Sequence, residues 1–128
     1  MKKTHELDFV HRDIKPDNFL VGYGEDSNKV HVIDFGLAKK YRDNISGHIP
    51  FSDKKHLTGT ARFASLNSHR GMELSRRDDL EAIGNMVLYF ALGSLPWQNI
   101  QSSERSEKHQ LIGNMKASIK LDKLNLPE

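Results

Sequence analysis

The sequence predicts an α+β fold, with a small β element at one end and helices over the rest, and two patterns carry that expectation. The first is "NFLVGYGEDSNKVHVIDFG", in which two short apolar runs, Phe19 to Val21 and Val30 to Ile33, flank a connection rich in Gly, Asp and Asn. Short apolar runs separated by turn formers read as a β-hairpin. The second is "SRRDDLEAIGNMVLYFALGSLPW", where Ser75 stands as an N-cap, acids fill the first turn, and Leu80, Ile83, Val87, Phe90 and Ala91 follow helical spacing. Met86, Leu88, Tyr89 and Leu92 make its second half apolar nearly all round, which predicts a helix buried on most sides. Gly93 and Pro96 end it.

The remaining elements follow in chain order. A length of 128 residues predicts one domain, residues 1–128, with a core that needs no disulfides. The start, "MKKTHELDF", is basic but lacks an apolar signal region, and no apolar run reaches the roughly 18 residues of a membrane span. A soluble intracellular protein, cytoplasmic and/or nuclear, is expected. Gly22 and Gly24 lie in the hairpin connection without a third glycine, so they read as turn glycines and not as a phosphate loop. From Leu37 to Phe63 no period survives, and Gly47, Pro50 and Gly59 punctuate what reads as one long ordered loop. After Gln98 the chain is polar, with a weakly amphipathic stretch near Leu111, Ile112 and Met115.

Composition excludes several functions. Lys and Arg number 19 against 17 Asp and Glu, a net charge of +2, too balanced to indicate nucleic acid or an anionic membrane on charge alone. The absence of cysteine removes disulfide scaffolds and thiolate metal sites. Seven histidines show no HExxH spacing, so no zinc site is expected; His11 and Trp97 are expected to pack.

The chemistry concentrates in "FVHRDIKPDNFLV". In an antiparallel pair the start of the first strand lies beside the end of the second, so Asn18 and Asp34 should meet at the hairpin's open end, with Asp13 and Lys15 at the same edge. Hard oxygen ligands there suit Mg²⁺ shared with a phosphate, and a lysine neutralises phosphate charge. Asp13 is left to accept a proton from, or orient, an attacking hydroxyl. The set suits phosphoryl transfer.

"HRDIKPDN" followed by "DFG" resembles the catalytic loop and metal-binding motif of protein kinases, in the right order and with a hairpin between them. "HRDIKPDNFL", "IDFGLAKKYRD", "LTGTARFAS", "SRRDDLEAIG" and "GSLPWQ" look like the casein kinase I family of serine/threonine kinases, over about His5 to Lys108. The resemblance implies a kinase-like fold, here a mainly helical C-lobe with its hairpin beside the catalytic loop. The N-lobe, with its Gly-rich loop and lysine–glutamate pair, is expected to be absent. It implies ATP and Mg²⁺ as cofactors, Asp13 as the catalytic aspartate, Lys15 as the γ-phosphate contact, and Asn18 and Asp34 as metal ligands. Thr60 matches a threonine that bonds the catalytic aspartate and lysine. Asp79 matches a buried structural aspartate that ties the central helix to the catalytic loop.

The family prefers protein acceptors preceded by acidic or phosphorylated residues, and Arg12, Lys39, Lys55, Arg62 and Lys108 match its basic pocket, where cations make sense as phosphate ligands. Ser65, Leu66 and Asn67 stand in place of the usual Ala-Pro-Glu anchor, as in that family. Asn99 replaces a family glycine, and the loop at "NISGH" is one residue shorter. Two functions follow as expectations. One is a casein kinase I-type transferase present as a fragment. The other is a catalytically inactive, truncated kinase-like module that binds phosphorylated or acidic partners.

Overall fold

The turn formers between Phe19 and Val32 close a hairpin, and the longest apolar run closes a helix. The computed structural model, which describes residues 1–120, places both where the sequence puts them. Helix α1 (Lys2–Glu6) leads into strand β1 (Phe9–Val10), and β2 (Phe19–Val21) pairs antiparallel with β3 (Val30–Val32) in the register Phe19 opposite Val32. Ile33 N–H donates to Asn18 O at 3.0 Å, which extends the ladder to the base of the hairpin. Helices α2 (Leu66–His69), α3 (Arg76–Leu92) and α4 (Arg105–Ser118) complete the described chain. No described helix is long and apolar enough to cross a membrane.

The stretch from Leu37 to Phe63 is not the single loop that the lost periodicity predicts. Strand β4 (Lys39–Lys40) pairs with β1, and β5 (Arg42–Asp43) pairs with β6 (Gly47–His48). Two-residue strands are too short to leave an alternating signature. The tight turn is held by the Asp43 carboxylate, which accepts the Ser46 hydroxyl and the N–H groups of Ser46 and Ile45. Those bonds draw Asp43 down to about 2.

One core joins the helices: Ile14, Phe63, Ala82, Met86, Leu95, Trp97 and Ile112 are buried together. At the N-terminus of α3 Asp78 accepts the backbone N–H of the N-cap residue Ser75 at 2.7 Å, and at the other end Gly93 takes φ 72°, the left-handed cap that glycine adopts without strain. The expectation that α3 is buried on most sides is not met. Its buried stripe is Asp78, Asp79, Ala82 and Met86, whereas Leu80, Val87 and Phe90 are 57%, 56% and 62% exposed. Two buried carboxylates bonded to neighbouring loops choose the inward face, and a hydropathy pattern cannot see polar anchors. In α4 only Ile112 of the amphipathic set is fully buried, and Leu111 is exposed.

This orientation separates apolar positions of the same helix by energy. Met86→Ala is expected to lower unfolding free energy by about 2–5 kcal/mol, the range for a buried Met. Phe90→Ser is expected to change it by roughly 0.5 kcal/mol or less. Urea unfolding of the two variants checks the difference, and equal losses would reverse the assigned faces.

Candidate active site

The site is built outward from Asp79, 2% exposed, on the first turn of α3. Its Oδ2 accepts the His11 N–H at 2.9 Å and faces His5 Nε2 at 2.8 Å, while Oδ1 accepts the Arg12 N–H at 2.9 Å. Two successive backbone N–H groups aimed at one carboxylate fix the chain ahead of Asp13. Arg12 there adopts φ 68°, the left-handed region that a non-glycine residue enters only when held. His11 is fully buried, as packing predicts. Its Nδ1 accepts the Asp13 N–H at 3.3 Å, which leaves Nε2 to donate to Ile33 O at 3.1 Å, and its ring meets Phe35 edge-on at 5.1 Å.

Asp13 is gripped from both sides. Thr60 donates its N–H at 3.0 Å and its hydroxyl at 2.8 Å to Oδ1, and the Lys15 ammonium lies 2.9 Å from Oδ2. Burial alone would raise this carboxyl, but Lys15 and Thr60 together outweigh it and hold it below the usual carboxylate range. Asp13 raises Lys15 in return, with Asp17 and Asp34 adding to the effect. Thr60 therefore meets the aspartate as the resemblance implies; both of the bonds it donates run to Asp13, and no bond joins it to Lys15. The approach of the two segments needs Gly59, at φ +85°, because a Cβ there would sit 2.4 Å from Arg12 O.

Asn18 Nδ2 donates to Asp13 O at 2.8 Å, so its amide oxygen is the atom left for another partner. Asp34, exposed at φ 60°, uses Oδ1 to accept the Gly36 N–H at 3.1 Å and keeps Oδ2 for another partner. The hairpin ladder sets Asn18 opposite Ile33, the residue before Asp34, so both belong to its open end. Among the described residues no three His, Asp or Glu side chains form a metal cage. One carboxylate and one amide oxygen beside a lysine fit a Mg²⁺ that also binds phosphate and water, the habit of that ion.

The five predicted cations do not form one pocket of free charges. Lys39 and Lys55 both reach Glu73, at 2.9 and 3.2 Å, and Arg12 Nε donates to Leu37 O at 2.7 Å. Burial raises the Glu73 carboxyl, yet the two lysines prevail and hold it low. Arg62 and Lys108 instead line a separate cavity of about 330 Å³ with Thr60, Trp97 and Arg105. The sequence reading missed Glu73 and Arg105, which carry no motif; only a structure can show which carboxylate faces which lysine. It also missed Asp78, which accepts from Ser65 Oγ at 2.8 Å and Asn67 Nδ2 at 3.0 Å. With Leu66 N–H donating to Glu81 at 2.7 Å, acids of α3 hold the Ser65, Leu66 and Asn67 segment that lacks an acid of its own.

Two tests follow. Asp79→Asn leaves buried donors facing an amide, and a loss of about 3 kcal/mol or more is expected, read by urea unfolding. A loss under about 1 kcal/mol would deny Asp79 its anchoring role. The second is acid titration. A carboxyl lowered in the folded state contributes stability that is full above its unfolded value of about 3.9 and is lost as the pH falls below it. Lys15→Met removes the chief partner, so unfolding midpoints measured between pH 6 and 3 should fall less steeply than in the parent chain, with roughly those limits chosen to bracket that value.

A protein-family model described as the protein kinase domain matches residues 1–127. The match takes in the gripped aspartate, the hairpin end and the helix whose Asp79 fixes the chain ahead of Asp13, and the chain belongs to the protein kinase domain family.

Proposed function

We propose that the chain is the acceptor-side part of a casein kinase I-type serine/threonine kinase, which transfers the ATP γ-phosphoryl group to Ser or Thr hydroxyls that follow acidic or phosphorylated residues. The observation that carries the reading is the Asp13 carboxylate, kept ionised by Lys15 and Thr60 beside the open end of the hairpin. In this reading Asp13 orients the acceptor hydroxyl and takes its proton, while Lys15 offsets charge on the transferred group. Asn18 and Asp34 would hold Mg²⁺, and Lys15 with them would hold ATP. Bound there, the metal–nucleotide pair supplies the phosphoryl group and neutralises its charge.

The narrower family rests on the strings "LTGTARFAS" and "SRRDDLEAIG" and on the Ser65, Leu66 and Asn67 segment, whose attachment to Asp78 gives that unusual anchor a physical role. Primed acceptors are supported by cations near Thr60. Arg62 and Lys108, joined by Arg105, offer charge-assisted bonds to a phosphate in the cavity beside it. Lys39 and Lys55 form a second group, in which an incoming anion must share them with Glu73, and Arg12 is bonded through Nε to Leu37 O. The same cationic cavity favours the second reading, a module that binds phosphorylated or acidic partners without transfer.

Nucleotide and phosphopeptide titrations separate the two. The kinase reading expects Mg²⁺-dependent ATP binding that weakens more than about tenfold in Asp34→Asn, and transfer to a primed peptide that drops by about 10²–10⁴-fold in Asp13→Asn. Phosphopeptide binding that weakens with salt, without any nucleotide binding, would leave only the binding module.

A further inference from the structure

Between Thr60, which grips Asp13, and Ser65, which bonds Asp78, the four backbone carbonyls of residues 61–64 are all taken by distant side chains. Arg62 O accepts from Trp97 Nε1 at 2.7 Å and Phe63 O from Asn85 Nδ2 at 3.0 Å. Both ends of the stretch belong to one residue: Lys116, on α4, donates to Ala61 O at 2.8 Å and to Ala64 O at 2.5 Å. Its Nζ also lies 5.1 Å from the centre of the Trp97 ring, and His69 Nε2 faces Ala61 O from the other side at 3.2 Å.

A lysine in this position is costly. Burial draws Lys116 down to about 7, and the Glu81 carboxylate, which acts the other way, falls short of offsetting it. An apolar residue of equal length would fill the space at lower cost, because it would not have to be desolvated as a charge. What the lysine adds is direction, two donated bonds that span a turn of backbone. That backbone walls the cavity of about 330 Å³ in which Thr60, Ala61 and Arg62 face α4. An acceptor segment seated there would therefore meet a wall whose shape is set by α4, and whose far end holds Asp13.

We infer that Lys116 is a positioning residue, one that clamps the carbonyls of Ala61 and Ala64 so that the acceptor-binding wall and Asp13 keep a fixed relation. The nature of the ligand, an acidic or phosphorylated protein segment, rests on the kinase reading above; the clamp itself does not. Lys116→Met keeps the stem over Trp97 and removes the donors. Amide hydrogen exchange of the full-length protein should then accelerate tenfold or more across residues 60–66, with α3 and the β2–β3 hairpin unchanged. In steady-state kinetics with a phosphorylated acceptor peptide, KM for the peptide should rise at least fivefold while KM for ATP holds, and Lys116→Arg, which keeps donors, should recover most of the loss. Exchange that accelerates everywhere, or nowhere, would overturn the clamp. So would equal changes in both KM values. If the parent protein transfers no phosphoryl group, the kinase reading fails on that arm, and the exchange arm still decides the clamp.

Discussion

Everything that the candidate site does depends on a single buried carboxylate. Asp79 collects the N–H groups of His11 and Arg12 and the His5 ring, and so converts the first turn of α3 into a fixed point for a segment far away in sequence. A left-handed Arg12 is disfavoured by about 1–2 kcal/mol on its own, and charge-assisted bonds to two adjacent N–H groups are of the size needed to hold it. With the backbone turned there, the Asp13 side chain faces Thr60 and Lys15. Without it, the turn that aims Asp13 at those two partners loses the acceptor for two adjacent N–H groups.

Helix α3 acts as a rack with several pegs. Asp79 holds the chain ahead of Asp13, its neighbour Asp78 holds Ser65 and Asn67, and Asn85 holds Phe63 O. The segments 11–13 and 60–67 are thus registered against the same helix, and each then touches the other through Thr60 and the close approach at Gly59. Electrostatics follows from this geometry. Asp13 can stay ionised while buried because its two oxygens have separate partners, Thr60 on Oδ1 and Lys15 on Oδ2, and the nearby Asn18 donates from its amide nitrogen to both Asp13 O and Asp13 Oδ2.

How much of this the sequence displays depends on how local each cause is. The hairpin is written in Phe19 to Val32, so its two strands and their antiparallel pairing can be reasoned out before any coordinates. The cap at Ser75 and the stop at Gly93 are equally local. The inward face of α3 is not, because Leu80, Val87 and Phe90 make as good an apolar stripe as the one that is buried, and the decision lies with two aspartates whose partners stand elsewhere in the chain. The same limit applies to Glu73, which pairs with two lysines that read as ligands, and to Lys116, an unremarkable lysine in sequence that ends among carbonyls and an indole ring.

The distance along the chain between Asp79 and its partners bears on how the protein is made. His11 and Asp79 are separated by 68 residues, and Asp13 and Thr60 by 47. At synthesis rates of roughly 5–20 residues per second, the loop that carries Asp13 is exposed for several seconds before the carboxylate that shapes it is joined to the chain. During that time the β2–β3 hairpin can form from its own turn, but the left-handed step at Arg12 has nothing to hold it. The Asp13 edge therefore takes its shape only after Asp79 has been added, and a ribosome-bound intermediate carries the "HRDIKPDN" segment without its geometry.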